Sequence, residues 1–256
     1  MSAETASKEV TKSKILKQVE FYFSDSNLPY DKYLWSLFKK TPEGWIDIKT
    51  IASFKKMKKI STDQDLIVEA LKESPEMLEV SEDNEKVRRK TQLEKQDHIS
   101  RSIYAKGFPL MDNDADKLMD LQDKIDEFFS QYGKVLCVRM KKEHVKPFNF
   151  KGSAYIEFSS PEESDKVAKM DLEFEGNKLE VKTRKDYIAV KSEEYNNKPR
   201  TDRVFKKKAF NAWYQDVSAN STQKRAREND QGLAEPNEKK PKSEETPAAE
   251  NKESTD

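Results

Sequence analysis

The sequence predicts an α+β chain: a winged-helix domain over residues 1–95, a βαββαβ domain with an extra C-terminal helix over 96–195, and a disordered charged tail over 196–256. Three observations predict it. Between residues 13 and 90, apolar side chains recur at helical spacing and end in two strand-like runs around the turn Glu82-Asp83-Asn84-Glu85. From 102 onward the patterns alternate as strand, helix, strand, strand, helix, strand. Beyond about 196 the order fades, and residues 215–256 have few large apolar side chains to bury.

The first predicted helix covers 13–24, with Ser13 as a cap and Leu16, Val19 and Phe23 on one face. Asn27-Leu28-Pro29 breaks it, since the residue before proline avoids the helical region. A second helix at about 30–40 carries Leu34, Leu37 and Phe38. Residues 45–48 read as a short strand, and a helix from Ile48 through Ile51 runs on into the basic KKMKK segment at 55–59. Thr62 or Asp63 can cap the next helix, which carries Leu66, Ile67, Ala70 and Leu71. Strands at 78–81 and 86–90 close the domain, and a polar linker spans 91–100. In the second domain strands are expected at 102–106, 135–140, 153–158 and 178–182. Helices are expected at about 114–131, from Pro161, and at about 184–195.

Composition narrows the function classes. Hydrophobic residues make up 34% and charged residues 38%, so part of the chain is unable to bury a core. Lys plus Arg and Asp plus Glu each number 48. The balance holds by region: 18 basic and 17 acidic side chains in 1–95, 16 and 18 in 96–190, 14 and 13 in 191–256. An electrostatic site must therefore be a local patch. Cys137 is the only cysteine, which rules out an intrachain disulfide and suits a reducing compartment. His98 and His144 alone cannot build a His/Cys zinc site, and no metal or cofactor is expected. No apolar run approaches the roughly twenty residues of a membrane span. The opening MSAETASKEV lacks a secretory h-region, so a soluble intracellular chain is expected.

The densest chemistry lies at 18–33, QVEFYFSDSNLPYDKY. Phe21, Tyr22, Phe23 and Tyr33 stand beside Gln18, Asp25, Asn27 and Asp31. Ring faces next to fixed polar groups are suited to stacking and reading unpaired nucleic-acid bases. Taken singly, most of these residues have plainer readings. Phe23, Leu16 and Val19 suit a core, Asp31 could only start a helix, and Asp25 and Asn27 could cap or turn.

The co-occurrence of Gln18, Phe21-Tyr22-Phe23, Asn27-Leu28-Pro29, Asp31-Lys32-Tyr33-Leu34, Gly44-Trp45-Ile46, Phe54, IVEAL at 67–71 and SED at 81–83 resembles the La motif of the La proteins. A second resemblance, to an RNA-recognition motif, covers about 100–190. The resemblance implies binding of RNA 3′ ends terminating in uridylates, chiefly new RNA polymerase III transcripts. It implies that Asp31 accepts hydrogen bonds from the terminal ribose hydroxyls, a geometry that disfavours a 3′-phosphate and DNA. It implies stacking by Tyr33 and Phe54, uracil reading by Gln18, and a flanking aromatic pair at Phe21 and Tyr22. Phe21 stands where a tyrosine is common in the family, Tyr33 where phenylalanine is commoner, and Lys55 where some relatives have asparagine.

The second domain shows an RNP octamer, KGSAYIEF at 151–158, with Ser153 in place of an exposed aromatic, and a hexamer, IYAKGF at 103–108. Tyr104 and Tyr155 are the RNA-stacking candidates, and the extra helix is expected to cover them partly. Val138 matches a position where La proteins touch RNA near the cleft between domains. Basic groups at Lys55, Lys56, Lys58 and Lys59, at Arg139, Lys141, Lys142 and Lys146, and along 198–208 would supply a sequence-independent grip. Lys224 and Arg225, then Lys239, Lys240 and Lys242, resemble a bipartite nuclear-import signal, implying an import receptor and a nuclear location with possible shuttling to the cytoplasm.

No Walker loop, metal cluster or Ser/His/Asp set is visible, and glycine numbers only six, so no catalytic activity is expected. The expectation is a monomeric protein that shields precursor tRNAs and other small RNAs from 3′ exonucleases and assists their folding and maturation. The alternatives are a La-related protein acting on messenger RNA and a winged-helix module for DNA or protein.

Overall fold

The computed structural model of the chain describes residues 3–74, 76–143, 146–199 and 209–214. Helix α1 (Ala3–Phe23) begins about ten residues earlier than expected. No glycine or proline interrupts that stretch, so Ser13 lies inside the helix and does not cap it. Lys12 on α1 reaches Glu73 at 3.0 Å and Glu69 at 3.3 Å. Ile15, Val19 and Phe23 are fully buried. A 3₁₀ turn (Leu28–Tyr30) leads into α2 (Lys32–Phe38), capped by Asp31.

Strand β1 (Ile46–Asp47), α3 (Ile48–Ala52), α4 (Lys55–Ile60), α5 (Gln64–Lys72), β2 (Leu78–Val80) and β3 (Lys86–Arg89) complete the first domain. Asp63 caps α5 by accepting from the Asp65 and Leu66 amides. The helix expected to run unbroken from 48 into 55–59 is two helices. Phe54 adopts extended backbone (φ −65°, ψ 141°) at the start of α4, which re-aims its ring. The three strands pair antiparallel in the order β1-β3-β2 beside the helices, a winged-helix arrangement. Its core joins Ile15, Val19, Phe23, Leu34, Ile51, Met57, Ile67 and Leu71.

The second domain contains β4 (Ser102–Lys106), α6 (Ala115–Ser130), β5 (Val135–Lys142), β6 (Phe150–Phe158), α7 (Pro161–Val167), the hairpin β7 (Glu173–Phe174) and β8 (Asn177–Lys178), β9 (Glu180–Thr183) and α8 (Arg184–Asn196). The main sheet is antiparallel in the order β5-β6-β4-β9. Ile103, Ala105, Val138, Ala154, Ile156 and Phe158 pack on one face with Leu121, Ile125 and Phe129 of α6 and Val167 of α7. Strand alternation assigns Tyr104, Arg139, Lys141, Tyr155 and Glu157 to the other face.

The strand expected at 178–182 is divided. Glu175 and Gly176 both take positive φ (47° and 80°), closing the small hairpin, and buried Leu179 separates it from β9. Gly152 in the octamer has φ 63°, and a Cβ there would lie 2.9 Å from the Phe108 carbonyl oxygen. Its own carbonyl accepts from the Gly107 and Phe108 amides at 3.0 and 3.2 Å.

Among the described residues no helix is long and apolar enough to cross a membrane, and no group of three or more His, Cys, Asp or Glu could hold a metal. The tail at 215–256, the basic run from 200 to 208 and the import-type residues Lys224, Arg225, Lys239, Lys240 and Lys242 lie outside the described residues.

Candidate nucleic-acid interface

The first group of site residues gathers where α1 ends, α2 begins and α3 breaks from α4. Asp31 Oδ1 accepts from the Tyr33 and Leu34 amides at 2.9 and 3.0 Å, so the carboxylate is fixed at the head of α2. Its second oxygen makes no hydrogen bond among the described residues. Tyr22 and Phe54 meet edge to face at 5.2 Å, and Tyr33 meets Phe54 at 6.1 Å. Tyr33 remains 58% exposed, with its ring open to a ligand. Gln18 is buried, one turn before Tyr22 on α1. Burial pushes the Tyr22 hydroxyl up to about 12, against the Gln18 amide and with the Asp31 charge adding to it, so the phenol stays protonated.

The structure thus brings Gln18, Tyr22, Asp31, Tyr33 and Phe54 together. Phe21 is half-buried, with its ring 6.2 Å from Tyr22. Lys55 is exposed beside Phe54. Asp25 and Asn27 are occupied internally. Asp25 pairs with buried Arg89 at 3.0 Å and accepts from the Glu94 amide, while Asn27 donates to the Tyr22 carbonyl at 3.1 Å.

The lysines of α4 divide their duties. Lys56 pairs with Asp123, and Lys59 with Asp120, both on α6 of the second domain; Lys17 on α1 reaches Asp126 at 3.2 Å. These ammonium groups are engaged within the protein, which the sequence reading did not foresee. Both domains belong to one compact unit that ends at Trp213.

On the second domain, α8 lies across the outer face of the sheet. Tyr187 stacks on Tyr104 with ring centroids 3.8 Å apart and meets Tyr155 at 5.9 Å. Lys141 donates to the Tyr187 hydroxyl at 2.6 Å and to that of Tyr155 at 3.2 Å. Tyr104 is only 7% exposed, so α8 occupies the place a stacked base would take. A register shift between Val135 and Cys137 sets the alternation so that the Val138 side chain packs into the core. Its carbonyl accepts from the Gln122 amide at 2.9 Å. Arg139 takes the outward position. Cys137 is buried, and burial pushes its thiol up to about 11, so it is an inert thiol.

The junction between the domains holds residues that sequence reasoning missed. Glu157 accepts from Ser26 Oγ at 2.9 Å and from Arg101 Nε and Nη2 at 3.0 and 2.7 Å. Arg139 donates to the Ser26 carbonyl and lies 5.0 Å over the Tyr30 ring. The Tyr30 hydroxyl and His98 Nδ1 are 3.0 Å apart. Burial, then the charge on Arg184, holds His98 below its ordinary value. The available signal was Glu157 itself, a carboxylate between Ile156 and Phe158, since a charge inside a strand must find partners.

The La domain family matches residues 15–73, and the RNA recognition motif family matches residues 121–180. The La protein homolog of Drosophila melanogaster is 34% identical over 212 residues, 77% of this chain and 52% of that protein. The chain belongs to the La family. La-related protein 6A of Arabidopsis thaliana is 54% identical over 80 residues, 31% of this chain and 19% of that protein. The solved La motif of the Dictyostelium discoideum La protein is 56% identical, covering 34% of this chain and 93% of that one, with a TM-score of 0.31. The chain spans about half the length of the curated La relatives it matches first. Both matched domains are RNA-binding domains, and RNA is the partner class they indicate.

Proposed function

We propose that this La-family chain binds RNA ends that terminate in uridylates and carry a free 3′-hydroxyl, chiefly those of new RNA polymerase III transcripts. The observation that carries the reading is the state of Asp31. One carboxylate oxygen is fixed by two backbone amides, the other is unused among the described residues, and the rings of Tyr22, Tyr33 and Phe54 stand around it. Such a carboxylate accepts both hydroxyls of a terminal ribose, repels a 3′-phosphate, and loses one bond with a deoxyribose. Gln18 supplies an amide able to pair with a uracil edge. Occupying the end would shield precursor tRNAs and similar RNAs from 3′ exonucleases and assist their folding and maturation, without a catalytic step. A monomer that works in the nucleus, delivered by an import receptor that reads Lys224, Arg225, Lys239, Lys240 and Lys242, completes the reading.

The test is competition between U-tailed RNAs ending in 3′-hydroxyl and in 3′-phosphate, run on the wild type and on Asp31→Ala. The variant should bind the hydroxyl form more weakly and lose the preference; a preference that survives removes Asp31 from the site. A second reading, a La-related protein acting on messenger RNA, is favoured by the 54% identity to La-related protein 6A over 80 residues. Crosslinking to cellular RNA separates the two: reads piled on 3′ uridylate tracts of polymerase III transcripts support the first, internal messenger sites the second.

A further inference from the structure

Arg184 opens α8 at the junction of the two domains, and its half-buried guanidinium is only partly provided for by the protein. Nε is fully buried without a hydrogen-bond partner among the described residues, and the group lies 4.3 Å over the Tyr155 ring. Burying a cation without an acceptor is costly, so such a group persists where a ligand completes it. Burial, with Arg139 nearby, lowers its pKa, while the Glu157 carboxylate and the neighbouring Tyr155 and Tyr30 act to raise it. The surroundings hold too little negative charge for it. Arg101, Arg139 and Arg184 share a single carboxylate, Glu157, whose Oε1 is already taken by Arg101 and Ser26. His98, held low, adds no competing cation at neutral pH. Among the described residues neither Arg139 nor Arg184 forms an ion pair with a carboxylate, and the two are flanked by the rings of Tyr30 and Tyr155.

Tyr30 directly precedes Asp31, so a strand whose end sits at Asp31 has this junction close at hand. We propose that Arg139 and Arg184 form a phosphodiester-binding site for the RNA strand whose 3′ end occupies the Asp31 pocket. A planar guanidinium presents paired donors that match two phosphate oxygens, and a singly charged phosphodiester supplies the missing acceptors. Tyr30 and Tyr155 hold the two guanidiniums by their ring faces. The site rests on the RNA-end reading above, and it adds a contact that depends on the length of the RNA, which the Asp31 pocket alone does not give.

The test uses the full chain and Arg184→Gln, titrated with the dinucleotide UU-OH, with an eight-nucleotide U-tailed RNA, and with that octamer bearing one neutral methylphosphonate at each position in turn. Arg184→Gln should weaken octamer binding about tenfold or more and flatten the salt dependence by about 0.7 in log–log slope. It should leave the dinucleotide unchanged. At one position the methylphosphonate should weaken the wild type, and Arg184→Gln should cost nothing further there. Equal losses on the dinucleotide and the octamer, additive losses at every position, or no loss on the octamer would overturn the proposal. Thermal melting guards against a packing role: removing a cation whose buried Nε has no acceptor should leave the midpoint unchanged or raise it. A lowered midpoint with unchanged octamer affinity would also overturn the proposal. A wild type that binds the octamer without preferring 3′-hydroxyl over 3′-phosphate sinks the end reading alone, because the methylphosphonate scan still reports the Arg184 contact.

Discussion

Tyr33 shows how a single side chain can serve binding at little cost to the fold. Its ring is more than half exposed and meets Phe54 edge to face, so truncation should leave the core intact. Tyr33→Ala should leave stability within about 0.5 kcal/mol of wild type. It should weaken binding of U-tailed RNA by about 1–3 kcal/mol, the usual worth of one stacked base. Calorimetric titration beside a thermal melt checks both; a fall in stability with unchanged affinity would return Tyr33 to a structural role. At this scale much of the site was legible. Gln18, Tyr22, Asp31 and Tyr33 are near neighbours in sequence, so their excess of rings and polar groups is visible without a fold. Phe54 is drawn in from another helix, and only the family pattern pointed to it. Ser26, Arg101 and Arg184 were not legible, and Glu157 signalled only that it needs partners, because chain segments far apart in sequence must dock before these groups meet.

Among the elements, the breaks carry more meaning than the regular runs. The interruption between α3 and α4 leaves Phe54 in extended backbone, which sets its ring against Tyr22 and Tyr33. A periodic run of Ile48, Ile51 and Ala52 followed by lysines contains no glycine or proline, so nothing in the sequence announced that break. The early start of α1 was hidden for a related reason: Ser13 looks like a cap, yet residues 3–12 carry no breaker that requires one. Gly152 marks the opposite case, a strained position inside the continuous strand β6. Its positive φ and the close Phe108 carbonyl leave no room for a side chain. Gly152→Ala should lower unfolding free energy by about 1–3 kcal/mol in denaturant titration, the range for a strained non-glycine residue. A neutral result would mean that the β4–β6 region relaxes around the new Cβ.

Over the whole molecule, near-equal charge in each third of the sequence concealed how the charges pair. Three lysines of the first domain face three aspartates on α6 of the second: Lys17 with Asp126, Lys56 with Asp123, and Lys59 with Asp120. All are partly or largely exposed and open to screening by salt. Reversing Asp120, Asp123 and Asp126 to lysine should loosen this docking. Small-angle scattering should then report a larger radius of gyration, and the second set of changes, Lys17, Lys56 and Lys59 to glutamate, should reverse it. An unchanged radius in the first variant would show that the buried contacts of Ser26, Arg101, Arg139 and Glu157 hold the domains alone.

The central claim concerns Asp31, and Asp31→Asn tests it most directly. Asparagine retains the cap on α2, so the fold should survive, while the negative charge is removed. The measurement is the ratio of affinities for one U-tailed RNA ending in 3′-hydroxyl and in 3′-phosphate, taken for the wild type and this variant in the same buffer. The wild type should show a strong preference for the hydroxyl end that collapses toward unity in the variant. A ratio that the substitution leaves unchanged would contradict the claim.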